Sequence, residues 1–167
     1  MKKEYIIPIF VPNLGCPNDC TFCNQKKISG QQTNVTPDDV KKTIEYYLEN
    51  FKDSSKYVEV AFFGGSFTGI DENVQKELLE AANEYIKKGK VNSIRISTRP
   101  DYINRKILKM LKKYRVKTIE LGVQSSNDYI LQKSRRNHTF ADVIKASKLI
   151  RFYGFTLGHQ MMIGMPD

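Results

Sequence analysis

CPNDCTFC, residues 16–23, holds all three cysteines of the chain and directly follows an apolar run. Three thiols in so short a loop can converge on one metal centre, because closing a short loop costs little conformational entropy. Soft thiolates select zinc or iron–sulfur clusters over hard cations. Electron-carrier clusters take four protein cysteines. Cys16, Cys20 and Cys23 therefore predict a metal centre with one position left for another ligand.

Two other uses of these cysteines compete with an iron–sulfur cluster. His138 or His159 can supply a fourth ligand and complete a structural zinc site of the Cys3His type. A disulfide is disfavoured, because closely spaced cysteines in an odd number suit neither a bridge framework nor an exported fold. Clustered thiols and an N-terminus without a signal peptide predict a cytoplasmic protein.

The length and composition predict one globular domain. The chain has 167 residues, of which 40% are hydrophobic and 27% charged, as in ordinary soluble proteins. This length suffices to bury a core, so residues 1–167 are expected to form a single domain. No apolar run approaches the length of a membrane-spanning helix, and no membrane partner is expected.

The formal net charge of +9 permits an acidic partner such as nucleic acid. Much of this charge falls on one predicted helix, whose apolar residues form the opposite stripe. A solvated helix face therefore explains the charge as well as an RNA-binding surface does. The cations in question are Arg105, Lys106, Lys109, Lys112, Lys113, Arg115 and Lys117.

Predicted strands and helices alternate along the chain. Apolar runs predict strands over residues 5–11, 57–63, 93–97, 118–123 and 155–163. Helices are expected to begin near residues 36, 72, 103 and 139, where residues such as Thr36 and Thr139 provide N-cap signals. This alternation predicts right-handed βαβ units and an α/β fold. We expect a partial parallel (βα) barrel with about five strands and about four helices.

Polar residues collect where the predicted strands end, and ligands of parallel βα barrels bind at that edge. Gly64 and Gly65 permit close backbone approach and offer amides to an anion, although a tight turn is the favoured explanation of a lone glycine pair. Thr98 and Arg99 can offer a hydroxyl and a guanidinium to a carboxylate, or Arg99 can simply pair with Asp101. The apolar segment around Met162 can line a ligand site or pack in the core.

Together these motifs resemble the radical S-adenosylmethionine (SAM) superfamily. Within it the chain is most similar to the core of the Elongator catalytic subunit and to the related oxygen-independent coproporphyrinogen oxidases. The resemblance runs from about residue 9 to residue 166. It is carried by the cysteine spacing and by the segments FGGSFT (63–68), TRPDY (98–102), ELGVQS (120–125) and RNHT (136–139).

The resemblance implies a [4Fe–4S] cluster on Cys16, Cys20 and Cys23, with SAM bound at its fourth iron. The glycine-rich segment would contact the amino group of SAM, and Arg136 is the better match for its carboxylate. No catalytic side chain is assigned. The residues expected to bind SAM are Gly64, Gly65, Ser66, Thr68, Ser97, Thr98, Arg99, Gln124, Ser125, Arg136, Gln160 and Met162.

The chain departs from the family pattern in two residues and in length. Asn137 stands where a glycine is usual, and Ser97 where relatives often have glutamate. The family has six βα units, so the sixth is expected to be missing and the barrel to be open or truncated. Because an exposed edge strand is a liability, a complete chain of this length is expected to form a homodimer.

The activity implied is reductive cleavage of SAM, with an electron from an external donor, to a 5′-deoxyadenosyl radical that abstracts hydrogen from a substrate. The similarity favours a nucleobase-like or tRNA-derived substrate. The short chain favours a small heterocycle, for example in a queuine lyase of queuosine salvage, and a lyase over a transferase or oxidoreductase. The alternatives are direct modification of a tRNA base and a non-catalytic zinc or Fe–S module that binds nucleic acid.

Overall fold

A computed structural model describes residues 3–11, 20–23, 35–51 and 56–165 of the chain. Within them, five strands form one parallel sheet in sequence order. All strands therefore end at the same edge, which confirms the predicted α/β architecture. The strands are β1 (Lys3–Val11), β2 (Lys56–Gly64), β3 (Ser93–Thr98), β4 (Val116–Gln124) and β5 (Thr156–Met161).

Helices connect successive strands. They are α1 (Pro37–Asn50), α2 (Glu72–Lys87), α3 (Arg105–Lys113), α4 (Asp128–Lys133) and α5 (Phe140–Phe152), with 3-10 turns at Phe67–Gly69 and Pro100–Tyr102. Within the described residues, β1 pairs only with β2 and β5 only with β4, so the sheet is open at both sides, as in a partial barrel. None of the helices described here combines the length and the apolar character that crossing a membrane requires.

One face of the sheet packs against the helices and forms the hydrophobic core. Alternate residues of a strand point to opposite faces, and the members on this face are fully or almost fully buried. Burying each such aliphatic side chain stabilises the fold by about 1.5–3 kcal/mol. This face includes Ile7, Ile9, Val58, Val60, Phe62, Ile94, Ile96, Ile119 and Leu121.

Both predicted N-caps are confirmed by reciprocal hydrogen bonds. The Thr36 hydroxyl accepts from the Asp39 amide, and the Asp39 carboxylate accepts from the Thr36 amide. Thr139 and Asp142 form the same capping box at the start of α5. Each box satisfies backbone donors that the first helical turn leaves unpaired.

Two parts of the helix prediction are wrong. The basic helix ends at Lys113, because Arg115 has a φ of 61° and breaks the helical conformation, and Lys117 belongs to β4. The short helix α4 was not predicted. Its N-cap residue, Asn127, accepts from the amides of Tyr129 and Ile130, but six residues are too few to show an apolar period.

Candidate functional site

A cavity of about 230 Å³ lies at the edge where β2 to β5 end. We call it the cysteine cavity. Its lining combines three residues of the cysteine loop with residues at or just after the ends of four strands. The predicted SAM-binding residues all line it except Thr68, Ser125 and Met162. The lining residues are Cys20, Phe22, Cys23, Gly64, Gly65, Ser66, Ser97, Thr98, Arg99, Gly122, Gln124, Arg136 and Gln160.

Cys20 and Cys23 reach the cavity from one tight turn. The Cys23 amide donates to the Cys20 carbonyl over 2.9 Å, and the Thr21 amide donates to the Ser134 carbonyl at the end of α4 over 3.3 Å. Cys20 is almost fully buried, and Cys23 is partly exposed. The third predicted ligand, Cys16, lies outside the described residues, so the arrangement of the full cysteine set is not described.

Arg136 brings a positive charge to the cysteines. Its Nη1 lies 3.8 Å from the Cys20 sulfur, and its Nη2 donates to the Gly122 carbonyl over 2.5 Å. Its Nε is buried and has no hydrogen-bond partner within the described residues. An unpaired buried donor destabilises a protein by about 1–3 kcal/mol. A guanidinium with such an unpaired donor can form charge-assisted hydrogen bonds to an anionic thiolate–metal centre and to the carboxylate of a ligand bound beside it.

A cluster of hydroxyl groups forms another wall of the cavity. Thr98 Oγ1 is 2.9 Å from Ser66 Oγ and 2.5 Å from Thr68 Oγ1. The Arg99 amide donates to Ser66 Oγ over 3.1 Å. Thr68 thus lies behind the wall and orients Thr98, although it does not line the cavity itself. Two of the three hydroxyls, those of Ser66 and Thr98, belong to lining residues.

The glycine pair is engaged in the sheet. Gly64 has a φ of 105°, and a Cβ at this position would lie 2.5 Å from the Val11 carbonyl oxygen. The Gly65 amide donates to the same oxygen over 3.0 Å. The Gly65 amide is therefore paired with β1 across the sheet and is not available to an anion as predicted.

Arg99 is held in an ion pair. Its Nε and Nη2 donate to the two carboxylate oxygens of Asp101 over 3.0 and 2.8 Å, and its guanidinium lies 5.3 Å from the Tyr102 ring centre. The side chain is only 4% exposed. The structure thus contains the Arg99–Asp101 pair considered above, and Arg136 remains the better positioned guanidinium for a ligand carboxylate.

Ser125 and Met162 do not line the cavity. The Ser125 hydroxyl accepts from the Asn127 amide over 3.1 Å and thereby stabilises the turn before α4. The Met162 amide donates to the Gln124 carbonyl over 2.9 Å, while its side chain is 40% exposed. Their predicted contacts to SAM stay a prediction.

Neither histidine lines the cysteine cavity. His138 is buried with its Nε2 3.3 Å from the Val123 carbonyl, and burial, together with the nearby Arg136 charge, lowers the pKa of His138. His159 Nε2 lies 2.9 Å from the Ser147 hydroxyl. Among the residues described, no three of the His, Cys, Asp and Glu side chains form a metal-binding group. The Cys3His zinc alternative therefore has no histidine at the cysteine cavity.

The other face of the sheet carries a polar network that was not predicted from the sequence. We call this the inner face, defined by Glu59, Arg95 and Glu120. Arg95 Nε donates to Glu59 over 2.6 Å and its Nη1 to Glu120 over 2.5 Å. Burial tends to lower the pKa of Arg95, but its hydrogen bonds to the two carboxylates outweigh this and raise the pKa. The alternation of polar and apolar residues in the predicted strands is the sequence pattern that could have indicated a polar inner face.

Curated relatives cover the chain but are much longer. The tRNA uridine(34) acetyltransferase of Methanocaldococcus infernus is 32% identical in an alignment of 136 positions that covers 71% of this chain and 26% of the relative. The heme chaperone HemW of Bacillus subtilis is 28% identical in an alignment of 172 positions that covers 99% of this chain and 43% of the relative.

Solved structures share the fold. The archaeal Methanocaldococcus infernus Elp3 has a TM-score of 0.70 at 24% identity and covers all of this chain with 39% of its own. Coproporphyrinogen III oxidase (HemN) of Escherichia coli has a TM-score of 0.65 at 18% identity, over 99% of this chain and 38% of its own. Identities this low establish the fold alone.

Structural neighbours carry the two predicted cofactors. TsrM of Kitasatospora setae, with a TM-score of 0.67 at 15% identity over 97% of this chain and 32% of its own, has a [4Fe–4S] cluster bound. Native anSMEcpe, with a TM-score of 0.67 at 18% identity over 94% of this chain and 42% of its own, has AdoMet (SAM) bound.

The family match extends over nearly the whole chain. Residues 10–167 match the Radical SAM superfamily, and this segment contains the cysteine loop and every residue that lines the cysteine cavity. The chain belongs to the radical SAM superfamily.

Proposed function

We propose that this chain forms a radical SAM active site, with a [4Fe–4S] cluster on Cys16, Cys20 and Cys23 and SAM in the cysteine cavity. The observation that supports it is the convergence of Cys20 and Cys23 with the predicted SAM-binding residues on one cavity. When bound and supplied with an electron from an external donor, these cofactors yield methionine and a 5′-deoxyadenosyl radical, which takes a hydrogen atom from the substrate.

The residues of the chain bind and orient the cofactors in this proposal. The buried Nε of Arg136 would donate to the SAM carboxylate, which supplies the acceptor that this donor lacks in the described residues. The Ser66 and Thr98 hydroxyls and the Gln124 and Gln160 amides line the same cavity and would contact the polar groups of SAM. Cys20, almost fully buried, would hold the cluster away from water.

For the substrate we propose a nucleobase or nucleoside, either free or within tRNA. The narrower candidate is a lyase acting on a free modified base such as queuine, and its support is the family resemblance. Incubation with queuine and SAM, followed by chromatography of the base-derived products, tests it. Unchanged queuine alongside full SAM cleavage would contradict the lyase.

A tRNA base is the second candidate, and two observations favour it. The curated relatives include tRNA uridine(34) acetyltransferases. The exposed cations of α3 also include Arg105 and Lys109, which form no ion pair within the described part of the chain. Binding to tRNA should weaken steeply as salt is raised, because each neutralised phosphate releases counterions. An affinity independent of salt would contradict this candidate.

A homodimer belongs to the same proposal. Its support is the edge of β5, where Met161 is 53% exposed, and the segment just after it, where Ile163 is 101% exposed. Parallel strands with free edges invite pairing with another chain. Sedimentation velocity on the purified chain tests the dimer, and a monomer at micromolar concentration would contradict it.

The first experiment is anaerobic reconstitution with iron and sulfide, followed by reduction, addition of SAM and chromatography for 5′-deoxyadenosine. The expected product depends on both the cluster and the reductant. Cys20→Ala should abolish the visible cluster absorption and the cleavage of SAM together, because the cluster loses a ligand. Undiminished cleavage in Cys20→Ala, or zinc in place of iron in the isolated protein, would contradict the proposal.

A further inference from the structure

Arg95 forms the centre of a hydrogen-bonded network on the inner face of the sheet. Its guanidinium bonds to Glu59 on one side and to Glu120 on the other, over 2.6 and 2.5 Å. The three side chains are only 6 to 26% exposed, so these ion pairs are largely shielded from water. Glu59 also accepts from the Ser93 hydroxyl over 2.8 Å. The network is therefore fixed at its far end.

The near end of this network reaches the cysteine cavity. The second oxygen of Glu120, Oε2, accepts from Gln160 Nε2 over 2.7 Å and from the Ser97 hydroxyl over 3.4 Å. Gln160 and Ser97 line the cysteine cavity, whereas Glu59 and Arg95 line a separate hollow of about 190 Å³. Glu120 thus links the Arg95 ion pairs to two lining residues.

Gly158 makes room for this link. Glu120 is opposite Gly158 in the β4–β5 register, and a Cβ at Gly158 would lie 3.1 Å from Glu120 Cγ. Gly122 is opposite Gln160 in the same register. A larger residue at Gly158 would press on the Glu120 side chain where it extends across β5. The sequence of β5 thus leaves space for the carboxylate that holds Gln160.

Packing alone does not fix the Gln160 side chain, because β5 is largely exposed and Gln160 with it. Its hydrogen bond to a charged carboxylate is stronger than a neutral one and defines the orientation of the amide. An ionised carboxylate accepts hydrogen bonds and donates none. The Gln160 NH2 group must therefore face Glu120, and its carbonyl oxygen Oε1 is turned away.

We propose that Arg95 and Glu120 position the Gln160 amide so that its carbonyl oxygen serves the cysteine cavity as a hydrogen-bond acceptor. Such an acceptor selects a hydroxyl or amine donor on the ligand at this point and disfavours a carboxylate or phosphate. Arg95 and Glu120 are positioning residues that act through Gln160. The choice of SAM as the probe ligand rests on the proposed function.

Glu120→Gln is the direct test. The amide introduced at position 120 must accept the hydrogen bond from Arg95 with its carbonyl oxygen, so its NH2 group faces Gln160. Gln160 is forced to turn, so that its NH2 group replaces the carbonyl oxygen toward the cavity. We expect the dissociation constant of SAM, measured by calorimetry on the cluster-loaded chain, to rise about tenfold or more.

A swap of the two residues provides the rescue. In the double variant Glu120→Gln with Gln160→Glu, the new amide donates to the new carboxylate, whose other oxygen is again an acceptor toward the cavity. The overall charge equals that of the wild type. We expect SAM affinity to return to within about threefold of the wild type. A merely structural role for Glu120 predicts no such rescue.

Glu59→Gln is the matched control. It also removes one carboxylate from Arg95, but at the end of the network that faces the other hollow. Glu59 is the more buried of the two acids, so this variant should lose at least as much stability as Glu120→Gln. Its SAM affinity should nevertheless stay within about threefold of the wild type, because Gln160 keeps its orientation.

A second measurement needs no ligand. In the full chain labelled with 15N-glutamine, the Gln160 side-chain resonance is identified by its loss in Gln160→Glu. One of its amide protons should be protected from exchange with solvent, and Glu120→Gln should remove that protection while Glu59→Gln keeps it. Absence of SAM binding by the wild type would contradict the proposed function alone. Equal SAM affinity and an unchanged Gln160 resonance in Glu120→Gln would overturn the positioning role.

Discussion

The two faces of the sheet are built from neighbouring residues of the same strands, but one face is apolar and the other carries a network of ion pairs. Glu120 and Leu121 follow each other on β4, as do Arg95 and Ile96 on β3, and each pair divides between the faces. Leu121 and Ile96 are fully buried in the core against the helices. Glu120 and Arg95 form ion pairs that extend to the cysteine cavity. One face supplies stability by apolar burial, whereas the other positions polar groups at the site.

Leu121→Ala tests the apolar face and should give the largest change in stability. Removing a fully buried leucine side chain loses its transfer free energy and leaves a cavity, which destabilises proteins by about 2–5 kcal/mol. Urea denaturation should show this loss, and it should be the same at pH 5 and pH 8, since no charge is involved. A loss that varies strongly with pH would contradict the division between the faces.

Arg95→Met tests the inner face and should give a loss of stability that depends on pH. Without the guanidinium, the Glu59 and Glu120 carboxylates lose their cation and repel each other in a shielded site. Acid relieves this repulsion by neutralising carboxylates, so the variant should be destabilised more at high pH than at low pH. The stability deficit, about 1–3 kcal/mol at pH 8, should shrink toward pH 5.

The control for Arg95→Met is Arg95→Met combined with Glu59→Gln, which removes one of the two acids. The pH dependence should then be smaller, because Glu120 no longer faces a second carboxylate. An equal deficit at pH 5 and pH 8 in Arg95→Met would show that the side chain contributes by packing rather than by neutralising the carboxylates.

The apolar face could be predicted from sequence because burial leaves a periodic pattern. The runs around Val60, Ile96 and Leu121 predict strands, and the order of elements predicts the parallel sheet. The place of the candidate site could be predicted because ligands of such sheets bind where strands end. Cys20, Thr98 and Arg136 line one cavity there. These predictions need only local pattern and topology.

The inner-face network could not be predicted, because its contacts depend on register between strands distant in sequence. Glu59, Arg95 and Glu120 meet only when β2, β3 and β4 pair as they do, with a shift between Ile94 and Arg95. The pairing of Arg99 with Asp101 was an open alternative, since both residues lie within reach in one loop. The hydrogen bond of the Gly65 amide to Val11 likewise depends on the β1–β2 register.

Arg136→Met sharpens the comparison at the site itself. The change removes the guanidinium that lies beside Cys20 and donates to the Gly122 carbonyl. Under the proposed function SAM affinity should fall about tenfold or more, because a charge-assisted bond to its carboxylate is lost. Arg99→Met is the comparison variant, and it should mainly lower stability, because it leaves Asp101 without its partner. Equal losses of affinity in the two variants would contradict the assignment of the carboxylate to Arg136.

Thr139→Ala should give the smallest effect and touches neither face. The hydroxyl caps α5 at an exposed position, and removing such a cap destabilises proteins by about 0.5–2 kcal/mol.

Hydrogen bonds from the Thr139 backbone and side chain lower the pKa of Asp142. A lowered pKa stabilises the folded state above the unfolded value and loses that contribution as pH falls through the folded value. The difference in unfolding free energy between Thr139→Ala and the wild type should therefore shrink below about pH 4, the reverse of the trend expected for Arg95→Met. Urea denaturation of both variants at about pH 3.5, 5 and 8, which lie below and above the ordinary pKa values of carboxyl groups, would separate the two trends. If the stability loss changed with pH in the same direction in both variants, the exposed carboxylate of the α5 cap and the shielded carboxylates of the inner face would respond alike. That result would contradict the difference between the surface cap and the inner face.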